Sequence, residues 1–563
     1  MQLIRRKQIR TIVCRPARFP HALPSLWGMI GGGLWFDSLR TFLAGCLWIS
    51  CFLSCTGKFE EYNVNQVGFT EEQKAYDYNT FGIWMKVIQS GIYFNYDWGA
   101  GKNWNFQTMQ NLSADMFSGY LHDYKPFNAG LANTVYNLED GWNGTMWENT
   151  YSVIMTEIKK AEDFSREKYP HLYAVTQILK VELMHRVSDY YGPIVYRKFG
   201  QSHAGVMPDS QEEAYTAFFQ DLDTAITLLS AYKGKTTFAR FDMLMTTSNQ
   251  TYEQWIRFAN SLRLRLAIRI AMAAPGKAAE EARKSFLQPG GFLEETSQLV
   301  AVSALGTGYS NPLGEINKAW GEVFLNANME SILTGYDDPR LPLYFEPATG
   351  AGYAGQYRGI RQGTGFNHTQ YSQHATSTIT QSTQAVLMTP AEVWFLRAEA
   401  ALRGWSGEDP GECYARGVES SFEQWGAAGV ANYLKSEKLP ADYIDTFTPE
   451  YNIAAVCRVT PAWDEQASPE IKLEKIITQK WIACYPEGCE AWAEQRRTGY
   501  PRLFPVLTNR SNGKIDSRIM IRRLNFPVSI ISSNPAQYEA LCEYLGGPDT
   551  GGTRLWWDTG KNF

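Results

Sequence analysis

Runs of apolar side chains at helical spacing, opened by helix-start signals, constrain the fold of this sequence most strongly. One run begins at Ser210-Gln-Glu-Glu213, where the serine hydroxyl can accept an unpaired backbone N–H and Glu213 can reach back to the serine N–H. The apolar positions that follow share one face of a 3.6-residue period. They are Tyr215, Phe218, Phe219, Leu222, Ile226 and Leu229. The recurrence of this pattern predicts a mainly α-helical protein.

The predicted helices come in neighbouring pairs. Apolar spacing predicts helices over 147–164 and 171–189, and again over 391–403 and 411–426. The second pair opens at Thr389-Pro-Ala-Glu392, a further capping box with proline at the first helical position. Two more helices are predicted, over 252–272 and after Ser468-Pro469-Glu470. Pairs of this kind stack in a tetratricopeptide-like scaffold, although the 34-residue consensus is not legible.

Between about 275 and 388 the helical period fades, and Gly, Asn, Ser, Thr and Tyr dominate. This stretch is too long for an ordinary connection between helices. We therefore predict a long loop-rich insertion packed on the helical-pair scaffold. Because loops held by a rigid scaffold commonly carry function, binding residues are expected in such irregular segments.

The N-terminal segment has the features of a targeting sequence. Arg40 precedes an almost wholly apolar run over 41–54, which has the length of a signal-peptide core and is too short to span a bilayer as a helix. The chain becomes abruptly polar after Phe52-Leu53-Ser54-Cys55, which resembles a bacterial lipobox. We predict a signal peptide over 1–54, with translation starting at Met1 or at Met29, and a single lipidated domain over 55–563 that begins with Cys55.

Two alternatives to lipidation at Cys55 stay open. Leu43-Ala-Gly-Cys46 matches the lipobox pattern more closely, but cleavage there would leave a short apolar run upstream and an oily mature N-terminus. The segment could also be a plain cleaved signal or a short anchor helix. Cys55 is favoured because the change from apolar to acidic sequence falls at that residue.

Charge and composition exclude several classes of protein. Residues 1–54 hold seven Lys or Arg and one Asp, whereas the whole chain carries a formal net charge of −5, so the remainder carries −11. An acidic body argues against a nucleic-acid partner, which favours a basic face. Aromatic residues make up 14% of the chain, so rings must fill an unusually aromatic core or line a binding surface.

Several enzyme motifs fail on their context. Gly350-Ala-Gly-Tyr-Ala-Gly355 satisfies GxGxxG, but it follows Glu-Pro-Ala-Thr rather than a strand, and no helix is predicted after it. Gly234-Lys-Thr236 lacks the first glycine of a P-loop. HExxH, GxSxG and zinc-like CxxC spacings do not occur. No cofactor, metal or catalytic residue is therefore predicted, and a disulfide between Cys484 and Cys489 is left open.

A set of segments, taken in order and spacing, resembles a known family. They are Cys55-Thr-Gly-Lys-Phe-Glu-Glu-Tyr-Asn63, Trp147-Glu through Ala161-Glu162, 183–196 ending in Asp-Tyr-Tyr-Gly-Pro-Ile-Val-Tyr, 252–269 with Arg263, Arg265 and Arg269, Asp338-Pro-Arg340, 391–399, and 479–501 ending in Arg-Arg-Thr-Gly-Tyr-Pro. The sequence resembles the SusD/RagB family of Bacteroidetes outer-membrane nutrient-binding lipoproteins, in its second, larger-loop branch. Most of these segments also have a structural explanation; the arginines of 252–269, for example, lie among apolar residues and must pair or reach solvent.

The resemblance implies a SusD-like fold and a surface-exposed, lipid-anchored outer-membrane protein that is not an enzyme. Such a protein captures an oligosaccharide, or sometimes a peptide, and delivers it to a SusC-like TonB-dependent transporter for import. Two other functions stay open. They are a helical-repeat scaffold that binds only proteins, and a glycoside hydrolase whose carboxylate pair the sequence does not single out.

Aromatic residues of the irregular segments are the candidate ligand-binding residues. Sugars present flat C–H faces to aromatic rings, and their hydroxyls bond to amides and carboxylates. The candidates are Trp98, Trp104, Asn95, Asp97 and Asn103 in one segment, and Tyr309, Trp320 and Tyr353 in the long insertion. The alternative for each ring is that it only pins its loop to the scaffold.

Overall fold

Helices form the framework of the structure, a computed structural model. It describes residues 78–93, 104–125, 132–202, 205–245, 248–303, 309–364 and 369–563. The predicted signal peptide and Cys55 lie outside the described residues, and residues 77–563 form one compact unit.

The first half of the described chain contains nine helices. They are α1 (Asn79–Ile92), α2 (Trp104–Phe106), α3 (Ala114–Phe117), α4 (Asp140–Asn149), α5 (Met155–Ser165), α6 (Pro170–Tyr191), α7 (Gln211–Leu229), α8 (Tyr252–Arg269) and α9 (Pro275–Leu287). Two π-helical turns, Gln107–Asn111 and Thr150–Ile154, continue α2 and join α4 to α5. Helices α5 to α9 pack each against the next.

The second half of the described chain contains ten helices. Its helices are α10 (Pro312–Lys318), α11 (Ala327–Gly335), α12 (Leu341–Tyr344), α13 (Pro390–Leu402), α14 (Pro410–Trp425), α15 (Val430–Tyr433), α16 (Pro469–Ala483), α17 (Gly488–Thr498), α18 (Val528–Ser533) and α19 (Pro535–Leu545). Helix α13 packs on α14, α16 and α8, and so joins the two halves. The prediction of a mainly α scaffold of helical pairs is confirmed.

Six short strands accompany the helices in the described part of the chain. They are β1 (Leu121–His122), β2 (Val300–Val302), β3 (Phe324–Leu325), β4 (Phe345–Glu346), β5 (Thr376–Ser377) and β6 (Ala385–Met388). Four of them make an antiparallel sheet in the order β1-β3-β5-β4, with Leu121 opposite Leu325 and Phe345 opposite Ser377. Three of these four strands belong to the predicted insertion, so this small sheet is where the insertion meets the scaffold.

Two details differ from the sequence prediction. Residues 275–287, assigned to the insertion, form helix α9, whose Pro275 occupies the first turn and whose Ala278 and Ala282 are buried against the scaffold. Thr389 caps α13 by accepting the Glu392 N–H at 2.9 Å, but the Glu392 carboxylate does not complete the capping box because Arg265 binds it. By contrast, both hydrogen bonds of the Ser210 capping box are present.

A buried ionic core lies between helices α6, α8, α13, α16 and α17. Arg265 donates to both oxygens of Glu392 at 2.7 Å, and Arg269 donates to Glu494 at 2.6 Å and to Glu490 at 2.5 Å. These side chains are at most 5% exposed. The arginines of α8 are therefore paired, as their apolar surroundings required.

Two further findings concern the cysteines and the membrane. Cys484 and Cys489, the candidate disulfide pair, are free and buried thiols. Among the described helices, none combines the length and apolar character needed to cross a bilayer.

Candidate functional site

Helix α10 fixes the position of Trp320. Gly314 lies so close to the neighbouring chain that a Cβ there would stand 2.0 Å from the Thr380 carbonyl carbon. Asn317 donates its side-chain amide to the carbonyls of Ser377 (2.6 Å) and Ile379 (2.8 Å), which ties the helix to strand β5. After Trp320 the chain reverses at Gly321, whose φ of 63° is a conformation that favours glycine.

Glu322 joins this turn to the helix that carries Trp104. Gln107 donates to one Glu322 oxygen at 2.5 Å. Lys125 donates to the other at 3.0 Å and to the Trp320 carbonyl at 2.5 Å. We call these residues, Gln107, Lys125, Trp320 and Glu322, the Glu322 cluster. Trp104 begins the same helix one turn before Gln107 and is 52% exposed, whereas Trp320 is partly buried. Two predicted ring positions, 216 residues apart in the chain, thus lie on hydrogen-bonded neighbouring segments.

Asp123 lies beside this cluster in an unusual protonation state. Burial and the neighbouring Glu322 carboxylate raise the pKa of Asp123 to about 8. The Lys125 backbone N–H and ammonium group lower this pKa, but their effects are weaker. Asp123 is 6% exposed. At neutral pH it is a protonated carboxyl group that can donate as well as accept a hydrogen bond.

Aromatic residues follow one another in space from Tyr124, the residue after Asp123, to Tyr353. Tyr124 packs edge-on against Phe324 of β3 with centroids 5.1 Å apart. Phe324 and Tyr371 belong to one small buried cluster, and Tyr371 meets Phe447 edge-on at 5.2 Å. Tyr353 then packs against Phe447 at 5.8 Å. We call these five residues the aromatic band. Phe447, at 43% exposed, is its most accessible ring.

Tyr353 lies at the far end of the band because of its glycine neighbours. The segment Gly350-Ala-Gly-Tyr-Ala-Gly355 forms successive turns; three residues separate it from strand β4, and no helix follows it directly within the described residues. A Cβ at Gly350 would stand 2.1 Å from the Tyr353 ring, so Gly350 makes room for that ring. The ring also packs on His374 at 5.1 Å and is 8% exposed. Tyr353 therefore presents little ring surface in this structure.

Polar groups hold the outer part of the band in place. Asp445 accepts the Tyr371 hydroxyl at 3.0 Å and the backbone N–H of Phe447 at 2.9 Å. Burial lowers the pKa of His374 to about 4, so that its ring is neutral at pH 7. The exposed face of Phe447 is thus carried by a loop with well-satisfied hydrogen bonds.

The remaining candidates divide into two groups. Tyr309 is 3% exposed within the hydrophobic core, and burial raises the pKa of its hydroxyl well above the ordinary value. Asn95, Asp97, Trp98 and Asn103 lie outside the described residues. The segment that holds them joins Tyr93 to Trp104, and Tyr93 stacks on Phe106 with centroids 4.8 Å apart. The two ends of that segment are therefore held together beside the Glu322 cluster.

Sequence reasoning missed several residues of this region. Gln107, Asp123, Lys125 and Glu322 are ordinary polar residues in the sequence, and only the fold brings them together. Phe447 could have been noticed as an aromatic residue in an irregular Thr-rich segment, by the same criterion that selected Trp320. Exposed rings beside amide, ammonium and carboxyl groups suit the binding of a polyhydroxylated ligand. Within the described residues no group of three or more His, Cys, Asp or Glu is placed to hold a metal ion.

Comparison with known proteins assigns the fold and the family. The model of the SusD-like family, described as Susd and RagB outer membrane lipoprotein, matches residues 61–558. The chain belongs to this family. A comparison with the curated proteins found no match.

Solved structures of other family members agree with this assignment. A SusD homologue from Bacteroides vulgatus is 47% identical, with a TM-score of 0.82, over 87% of this chain and all of that one. A chitin-binding SusD homologue from Flavobacterium johnsoniae is 40% identical, with a TM-score of 0.80, over 85% of this chain and 99% of that one. A SusD homologue from Bacteroides uniformis is 33% identical, with a TM-score of 0.77 and the same coverage.

The predicted resemblance and SusD-like fold are therefore confirmed. This SusD-like protein is an outer-membrane lipoprotein of a glycan-binding family whose members are not enzymes.

Proposed function

We propose that this SusD-like protein captures an oligosaccharide at the outer face of the cell and passes it to a SusC-like TonB-dependent transporter. The binding surface is formed by Trp104, Trp320 and the polar groups of the Glu322 cluster, with Trp98 and its neighbours Asn95, Asp97 and Asn103 completing it. The single observation that carries this proposal is the Glu322 cluster itself. It joins the helix that carries the exposed Trp104 to the turn that carries Trp320, next to hydrogen-bonding groups, on a protein of a glycan-binding family.

The aromatic band extends the proposed surface. A sugar chain longer than the Trp104–Trp320 region reaches the exposed face of Phe447 along the sheet. Tyr353 and Tyr309 contribute as supports in this proposal, because their rings are almost wholly covered by protein. Their predicted role in direct ligand contact stays a prediction.

A chitin fragment is the first ligand to test. The relative described as chitin-binding is 40% identical to this chain, over 85% of this chain and 99% of the relative. N-acetyl groups add a flat amide and a methyl to the sugar ring, and both suit a site that combines indole rings with amide and ammonium donors.

The experiment is calorimetric titration of the mature protein with a panel of oligosaccharides, chito-oligosaccharides among them. Loss of a stacking ring should weaken binding by about 1–2 kcal/mol, roughly tenfold. Trp104→Ala and Trp320→Ala should therefore each bind the best ligand about tenfold more weakly, with no product formed by any variant. Tyr544→Ala is the matched control, since Tyr544 is 45% exposed on α19. Parent-like binding by both tryptophan variants would refute the assignment of the surface.

The membrane anchor is proposed to be a lipid on Cys55. Replacing this cysteine should remove the lipid, since the lipid is attached through the cysteine sulfur. Cys55→Ala is expected to move the protein from the membrane to the soluble fraction, whereas Cys46→Ala should leave it in the membrane. Fractionation followed by immunoblotting measures this, and the reverse result would assign the anchor to Cys46.

A further inference from the structure

A cavity lined by arginines lies at the C-terminal end of helix α17, remote in sequence from the Glu322 cluster. Its volume is about 340 Å³. This is within the range of small-molecule sites and equals the volume of about ten water molecules. Six arginines line it, and no Asp or Glu is among its described lining residues. They are Arg496, Arg497, Arg502, Arg518, Arg522 and Arg554. We call this the arginine cavity.

The arginines are arranged as a buried floor and an exposed rim. On the floor, the side chains of Arg497 and Arg522 are each 3% exposed. On the rim, the side chains of Arg502, Arg518 and Arg554 are 58%, 87% and 39% exposed. A ligand entering from solvent would therefore meet guanidinium groups on the way in and again at the bottom.

Carboxylates behind the cavity do not neutralise it completely. Arg502 pairs with Glu474 and Arg518 pairs with Asp516, whereas Arg522 and Arg554 share the single carboxylate of Asp558. Arg497 pairs with Glu399 and Glu494, but Arg403 also binds Glu399, and Arg269 and Lys480 also bind Glu494. The cavity is thus a concentration of positive charge on a body whose net charge is −11.

Arg496 on the floor has only carbonyl partners within the described part of the chain. It donates to the carbonyls of Trp492 (3.1 Å), Asp189 (2.5 Å) and Arg522 (2.8 Å), and its Nη2 has no hydrogen-bond partner there. The guanidinium carbon lies 3.6 Å from the centroid of the Trp492 ring, and the residue is 1% exposed. A fully buried guanidinium without a carboxylate is a costly arrangement that an anion nearby would improve.

The protonation behaviour of Arg496 agrees with this arrangement. Burial, with the neighbouring charges of Arg522 and Arg269, lowers the pKa of Arg496 to about 9, although the Asp189 and Asp558 carboxylates act in the opposite direction. Its positive charge is therefore under-compensated. A bound anion would raise this pKa again.

The rim is also formed by unusual backbone. Met520, which lines the cavity, has a φ of 63°, a conformation that few residues other than glycine adopt. Gly560 lies against Arg554, and a Cβ there would stand 3.3 Å from the guanidinium atoms. Conformations of this kind persist where the surrounding structure imposes them, commonly at ligand sites.

We propose that the arginine cavity binds a small ligand that carries carboxylate or sulfate groups, such as an acidic sugar. Guanidinium groups match these planar or multi-oxygen anions with paired hydrogen bonds, which ammonium groups cannot do. The cavity is an anion site separate from the proposed oligosaccharide surface, and its existence does not depend on that surface.

Calorimetric titration of the mature protein at low ionic strength tests this site. The probes are glucuronate, citrate and inorganic sulfate, with chloride at equal ionic strength as the blank. At least one probe should bind saturably at 1:1 stoichiometry, and its addition should raise the melting temperature. Tighter binding of glucuronate than of sulfate would identify the ligand as an acidic sugar, and the reverse order would identify it as a simple oxoanion.

Rim variants decide whether binding occurs in the cavity. Combined Arg502→Gln and Arg518→Gln should weaken the tightest probe at least tenfold, because both side chains are exposed and their loss should leave the fold intact. Combined Arg416→Gln and Arg458→Gln is the control, since both residues are exposed elsewhere. Trp104→Ala should bind the anion like the parent. The proposal is overturned if no probe binds saturably up to about 10 mM, or if the rim and control variants behave alike.

Discussion

The ionic core and the Glu322 cluster are two regions that bury carboxyl groups with opposite results. Burial would raise the pKa of Glu182 in the core, but the Arg186 and Arg265 guanidinium groups outweigh it and hold the pKa at about 2. Burial of Asp123 raises its pKa to about 8, because its nearest charged neighbours are a second carboxylate and one lysine. Both side chains are almost fully buried. The difference shows that the partners, rather than burial itself, decide whether a buried carboxyl group is charged.

This difference also separates the roles of the two regions. In the ionic core each charge is held by partners on another helix, so the region stabilises the packing of α6, α8, α13, α16 and α17. In the Glu322 cluster the charges are fewer and partly accessible, with Lys125 31% and Glu322 16% exposed. We therefore expect substitutions in the core to change stability and substitutions in the cluster to change ligand binding.

The largest effect is expected from breaking the ionic core at Arg265. Arg265→Met leaves Glu392 and Glu182 buried with fewer cationic partners, which should cost about 3–5 kcal/mol in the free energy of unfolding. Chemical denaturation measures this value. Arg416→Met is the control, because the exposed Arg416–Glu419 pair should contribute less than about 1 kcal/mol. Equal effects of the two substitutions would contradict a stabilising role for the core.

A substitution at Asp123 is expected to have a smaller effect on the free energy of unfolding, and to stabilise the protein at high pH. The folded-state pKa of about 8 lies above the ordinary value of 3.8, so the stabilisation that comes with the protonated carboxyl is complete below pH 3.8 and is lost as the pH rises through 8. Asp123→Asn cannot ionise, and should therefore be more stable than the parent at pH 9. Below pH 4 the stabilities of the variant and the parent should differ much less. Thermal unfolding across this pH range checks the prediction, and a pH-independent difference would contradict the raised pKa.

The smallest effect is expected from loosening the cluster without removing a ring. Glu322→Ala removes the acceptor that joins Gln107 to Lys125, and should weaken oligosaccharide binding by ~0.5–1.5 kcal/mol, the contribution of one or two hydrogen bonds. The melting temperature should change little, because the side chain is partly exposed. Glu346→Ala serves as the control, because Glu346 of strand β4 makes an exposed ion pair with Lys318 and is not part of the Glu322 cluster. Unchanged binding in the Glu322 variant would show that the cluster does not position the rings.

Local chemistry allowed much of the helical framework to be predicted from the sequence. The Ser210 capping box, the proline at the start of α13 and the left-handed Gly499 after α17 all depend on residues within a few positions of each other. The insertion was harder, because residues 275–287 hold only two large apolar side chains, Phe286 and Leu287, and were not assigned to a helix. Spacing alone could not show that Ala278 and Ala282 face the scaffold.

The partners in both regions are contacts between distant parts of the chain. The sequence required that Arg265 and Arg269 be paired, but their partners Glu392, Glu490 and Glu494 lie more than a hundred residues away. In the same way, Trp104 and Trp320 were chosen separately as loop aromatics, and their neighbourhood depends on Glu322. No local pattern distinguishes Glu322 from other exposed acids, so tertiary structure was needed to find it.

The most direct test of the account is a crystal structure of the protein with the tightest-binding oligosaccharide of the panel. The account predicts sugar rings stacked on Trp104 and Trp320, with hydroxyl or acetamido groups hydrogen-bonded to residues of the Glu322 cluster, and an unchanged ionic core. Density for the sugar elsewhere on the protein, with both tryptophan side chains left uncovered, would contradict it.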